Sequence, residues 1–77
     1  MKKSKFYHAG CAVCQSAEQE IIQLLGKNNV DVINIGVNKE RIPEAETEGV
    51  KSVPALVTPN GNALHINFGA SIEDLKA

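Results

Sequence analysis

The spacing of apolar and polar residues changes several times along the chain, and each change predicts an element. Lys3 to His8 reads as a strand: Phe6 and Tyr7 favour it, and Ala9-Gly10 break it. From Ala12 to about Lys27 the pattern is helical. Val13, Ala17, Ile21, Leu24 and Leu25 recur at three- and four-residue spacing, while Gln15, Glu18, Gln19 and Gln23 fall mostly elsewhere. Gly26 and Asn28-Asn29 supply the stop. Val30 to Val37 carries β-branched residues on both faces, the mark of a buried strand. Strand, helix and strand in close succession predict a βαβ unit with parallel strands and a right-handed crossover.

The second half reads differently. Arg41 to Gly49 is a short polar helix, with Pro43 suited to its first turn and Gly49 to its end. Ser52 to Val57 is an apolar strand with a proline at its entry. Pro59-Asn60-Gly61 is a turn signal, after which Leu64, Ile66 and Phe68 alternate with His65 and Asn67, a strand with one buried face that Gly69 ends. Two strands around that turn make an antiparallel hairpin. Ser71 then reads as the N-cap of a last helix, with Asp74 three residues on and Ile72 and Leu75 as its apolar stripe. The predicted order is β-α-β-α-β-β-α.

Composition narrows the function classes. The chain has 77 residues, enough for a single domain spanning 1–77, and 43% hydrophobic with 22% charged residues is ordinary for a globule. Eight Lys and Arg against nine Asp and Glu leave no basic excess to neutralise a phosphate backbone, and Phe6, Tyr7 and Phe68 are too few for a base-stacking platform, so nucleic acid is not an expected partner. No apolar run approaches the roughly 18 to 20 residues of a membrane span. The basic start Met1 to Lys5 lacks the apolar stretch of a signal peptide, so a cytoplasmic location is expected. In a reducing compartment a close cysteine pair is more often redox-active or metal-binding than a static staple.

That pair is Cys11-Ala12-Val13-Cys14, where the first strand turns into the first helix. The free N–H groups and dipole of a helix N-terminus stabilise an anion, so Cys11 is expected to have a lowered pKa. Cys14, one turn further in, is expected to be more buried, and the spacing lets its sulfur reach the first. Cys11 can then attack a disulfide and Cys14 resolve it. A strand followed by CxxC and a helix also occurs in small copper and zinc carriers of the ferredoxin-like fold, so soft-metal binding by the same two thiols is the alternative. Three features favour redox chemistry. Ala9 stands where those carriers have methionine, only His8 and His65 could complete a tetrahedral site and neither has metal-motif spacing, and the chain ends in a hairpin and helix instead of a final strand.

Gly10-Cys11-Ala12-Val13-Cys14, Ser52-Val53-Pro54 and Gly69 to Leu75 together resemble the thioredoxin-like superfamily, and within it the small glutaredoxin-like proteins. The resemblance covers essentially the whole chain. It implies a four-stranded mixed sheet in the order 2-1-3-4 flanked by helices, and a dithiol–disulfide oxidoreductase with Cys11 as nucleophile and Cys14 as resolving thiol. It also implies a cis peptide bond before Pro54, with the Val53 backbone available to an extended substrate. Protein disulfides are the implied substrates, with glutathione or a thioredoxin-reductase-like protein as reductant.

Departures from the family pattern set further expectations. Ala12-Val13 is neither Gly-Pro nor Pro-Tyr, and Lys5 replaces the buried acidic group of thioredoxins. His8 and Lys51 lie where glutaredoxins place cations for the carboxylates of glutathione, and Ser71, Glu73 and Asp74 where its amino group is held. The plainer reading makes His8 and Lys51 solvated loop charges, Ser71 with Asp74 a helix cap, and His65 merely exposed. A non-catalytic binding module of the same fold is a further alternative. Finally, the second strand is expected at a sheet edge, apolar but for Asp31 and Asn34, which predicts some tendency to homodimerise.

Overall fold

The computed structural model describes residues 3–10 and 12–76, without the side chains of Val13, Asn67 and Phe68. The elements are β1 (Ser4–His8), α1 (Ala12–Leu25), β2 (Val30–Asn34), α2 (Ile42–Thr47), β3 (Ser52–Val57), β4 (Ala63–Ser71) and α3 (Ile72–Lys76), with 3-10 turns before β2 and α2. The sheet has four strands in the order β2-β1-β3-β4. β1 runs parallel to β2 and antiparallel to β3, and β3 and β4 form the antiparallel hairpin. Both the expected element order and the expected sheet order are observed.

Alternation along the strands divides the apolar side chains between two faces. Phe6, Val30 and Leu56 meet Ala17, with Ile21, Ile22 and Leu25 of α1 packed alongside. Tyr7, Ile33, Ile35, Val53, Ala55 and Val57 point the other way, onto Ile42 and Ala45 of α2 and Ile72 of α3. Helix α1 ends where Gly26 adopts a φ of 89° and donates its N–H to the Ile22 carbonyl (2.8 Å). Leu24, expected on the buried stripe, is 79% exposed; Cys14 and Ile22 take up that role instead.

Three other expectations are corrected. The second strand stops at Asn34 and does not run to Val37, because the Asn34 side chain turns the chain: its Oδ1 accepts the N–H groups of Gly36 (2.9 Å) and Val37 (3.2 Å). Nor is that strand buried on both faces, since Asp31 and Val32 are exposed. In the last strand, Gly69 is not the end. β4 continues to Ser71, with Ala70 opposite Val53 and His65 opposite Ala55, so residues 66–69 face Pro54 alone. Of the stripe predicted to be buried there, Leu64 is 51% and Ile66 38% exposed, and the Phe68 side chain lies outside what the structure describes.

Candidate functional site

The site lies at the end of the sheet where β1 gives way to α1. Cys11, the expected nucleophile, lies outside the described residues. Cys14 occupies the first turn of α1 and is fully buried. Although α1 covers the Phe6 face, Cys14 clusters with Tyr7 and Val53 of the opposite face, because the first turn of the helix stands at the strand ends. That turn carries no acidic side chain, so nothing there offsets the positive end of the helix.

Facing it, the Val53–Pro54 bond is cis, as expected. Val53 stands in register with Ala70, while the pairing of β1 with β3 ends at Tyr7 and Ala55. Behind the cysteine loop lies the turn after β2. A side chain at Gly36 would come within 2.9 Å of the Ala9 carbonyl oxygen, so only glycine lets the two loops close on each other.

His8 is not the solvated loop charge of the plainer reading. It is the last residue of β1, 8% exposed, and its ring stacks on Phe6 at 5.8 Å. Its Nδ1 accepts the Gly10 N–H (3.1 Å), and its Nε2 lies 3.8 Å from Glu18 Oε1 of α1. Burial lowers its pKa, with partial opposition from Glu18. Period-two alternation from the buried Phe6 was the signal that could have found this. The other expected glutathione contacts sit elsewhere. Lys51 is exposed and lines an open cavity of about 330 Å³ with Glu46, Gly49, Val50, Ile72 and Glu73. Its carbonyl accepts the Ile72 N–H (2.9 Å), and its N–H donates to His65 Nε2 (3.1 Å), so exposed His65 also holds the approach to β3. Ser71 and Asp74 form the reciprocal cap of α3: Asp74 N–H to Ser71 Oγ (3.1 Å) and Ser71 N–H to Asp74 Oδ2 (3.4 Å). The structure thus brings Lys51, Ser71 and Glu73 to one region and leaves His8 out of it as a cation.

A second polar group was not foreseen. The buried Tyr7 hydroxyl lies 2.6 Å from Glu44 Oε2 and 2.8 Å from Glu48 Oε2, two carboxylates of α2 and its C-terminal cap. Lys5 pairs with Glu48 (2.8 Å) and Arg41 chelates Glu44 (2.9 and 3.0 Å). Burial, then the two carboxylates, raise the Tyr7 pKa well above its ordinary value; the Tyr7 hydroxyl, then Arg41, lower that of Glu44. Lys5 therefore replaces an acid in sequence but recruits one in space. The i, i+4 spacing of Glu44 and Glu48 was visible in sequence; their partner was not. Among the described residues, no three His, Cys, Asp or Glu side chains group as metal ligands, and no helix is long and apolar enough to cross a membrane.

Comparison with known proteins agrees with this architecture. The chain is similar to a dimeric thioredoxin-like protein from Nitrosomonas europea, solved by NMR in solution. The two are 55% identical over 97% of this chain and 95% of the other, with a TM-score of 0.87. The chain belongs to the thioredoxin-like proteins. No protein-family model and no curated protein matches it. Within a thioredoxin-like protein the described landmarks take on a shared orientation: Cys14, Pro54 and the β4 segment 66–69 all gather at the end of the sheet from which α1 departs.

Proposed function

We propose that this thioredoxin-like protein is a thiol–disulfide oxidoreductase working through Cys11 and Cys14. The observation that carries the reading is the fully buried thiol of Cys14 in the first turn of α1, packed with Val53 beside Pro54. The Cys11 thiolate attacks one sulfur of a substrate disulfide, and the other sulfur leaves as a thiolate. Cys14 then gives up its proton and attacks the Cys11 sulfur. The second substrate thiol departs, and the chain keeps a Cys11–Cys14 disulfide and has delivered two electrons. A reductant restores the dithiol. Lys51 beside Glu46 and Glu73 offers both charge signs to a small zwitterionic thiol such as glutathione.

The test is a titration of the metal-free protein against a glutathione redox buffer, counting accessible thiols. A single two-electron transition between about −120 and −270 mV is expected. If no intramolecular disulfide forms, the reading fails and soft-metal binding by the same thiols takes its place.

The protein is further proposed to form a homodimer, as its Nitrosomonas relative does. Both sheet edges are candidates. β2 has five residues and exposes one apolar side chain, Val32, next to exposed Asp31; β4 has nine and exposes Leu64 and Ile66 together. We place the contact on β4, where the larger apolar edge lies. Leu64→Lys with Ile66→Lys is expected to yield monomers by sedimentation, whereas dissociation by Val32→Lys alone would move the contact to β2.

A further inference from the structure

We propose that His8 is a positioning residue for the dithiol: its neutral imidazole holds the loop that leads into Cys11, and protonation releases that loop. The inference rests on the redox reading above for its consequence, but its geometry stands alone.

Nδ1 of His8 accepts the N–H of Gly10, the residue directly before Cys11. A ring that accepts at Nδ1 carries its hydrogen on Nε2, so this contact exists only in the neutral form. Gly10 itself turns the chain with a φ of 80°, a conformation that favours glycine. Phe6 stacks on the ring, and the backbone that carries it is held on β2, where the His8 carbonyl accepts the Ile35 N–H (2.9 Å) and His8 stands in register with Asn34. On β3 the register Tyr7↔Ala55 runs on one step toward Pro54, which is uncharged.

Of the elements packed around His8, only α1 presents a charged group to it among the described residues: Glu18, at 3.8 Å from Nε2, too long for a hydrogen bond to the neutral ring. A proton on Nδ1 changes both ends at once. The Gly10 N–H faces another donor and loses its acceptor, while the imidazolium gains attraction to Glu18. The ring is then drawn toward α1 and the loop is let go. Neutral His8 is therefore the state in which Gly10, the residue before the nucleophile in sequence, is held in place. Burial favours that state over the ordinary pH range.

The experiment follows the Gly10 amide and the His8 ring by NMR through a pH titration of the reduced wild-type protein. Gly10 is expected to move with the same midpoint as the His8 ring, below 6.5, and the rate of Cys11 alkylation per thiolate to change about two- to tenfold across that transition. His8→Gln, whose side-chain oxygen can accept but not ionise, should abolish the step in both readouts. A Gly10 amide that stays put while His8 titrates overturns the proposal, and this needs no variant. If Gly10 does follow His8 but no disulfide exchange is found, the redox reading falls and the loop contact stands.

Discussion

The two faces of the sheet are sealed by different physics. Against α1 the seal is apolar, Phe6, Val30 and Leu56 meeting Ala17 and its neighbours, and the polar exception is a single imidazole at the strand end. Against α2 a comparable apolar layer ends in a knot of ionisable groups, with the Tyr7 hydroxyl between Glu44 and Glu48 and with Lys5 and Arg41 outside them. Adjacent residues of one strand, Tyr7 and His8, thus meet opposite environments. The phenol is held protonated by burial and two carboxylates; the imidazole is held unprotonated by burial, against a single carboxylate. A titratable side chain takes its state from the face it is turned to, and in a strand that is decided by parity of position.

The largest effect tests what the faces share. Phe6→Ala on one and Ile35→Ala on the other should each cost about 2–5 kcal/mol in urea unfolding, since both side chains are fully buried. A small cost on either side would show that its helix packs loosely. Next, Tyr7→Phe should cost about 1–3 kcal/mol, because it removes the donor between two carboxylates without making a large cavity. A cost near zero would mean that the knot does not hold α2 to β1.

The faces should also fail at opposite ends of the pH scale. The raised pKa values of Tyr7 and Lys5 mean that the unfolded chain releases these protons first. The stability these two groups give the α2 face is then present below about pH 10 and falls as pH rises beyond it. The lowered pKa of His8 means that the unfolded chain takes up that proton first, so stability falls as pH drops through 6.5 toward the folded value. Glu44 adds its own loss only below 4.5. Thermal unfolding across pH reads all three, and His8→Gln should flatten the region just below 6.5 alone. The smallest effect belongs to the Lys3–Asp31 pair at the β2 edge. Both partners are about half exposed, so Lys3→Ala should change stability by less than about 1 kcal/mol.

Much of this was legible in the residues. The hairpin followed from Pro59-Asn60-Gly61, the last helix from the Ser71 and Asp74 cap, and the cis bond from the resemblance of Ser52-Val53-Pro54 to a family motif. What escaped depended on contacts distant in sequence. Nothing near Tyr7 announces Glu44 and Glu48, and nothing near Leu64 says that it stays half exposed. The early end of β2 was local but hidden in one side chain, because Asn34 fits a strand and also caps the turn that stops it. His8 was misjudged because its place beside the cysteines suggested a loop, whereas its parity with Phe6 pointed inward.

Gly36 has a consequence for anyone who would transplant the cysteine loop. With Ala9 resting on its bare α-carbon, the loop takes its position from the turn that ends the edge strand as well as from the helix behind it. A graft of residues 8–14 alone would arrive without its footing. The portable unit is two loops from separate parts of the chain, and an alanine at position 36 would be a wedge that pries them apart.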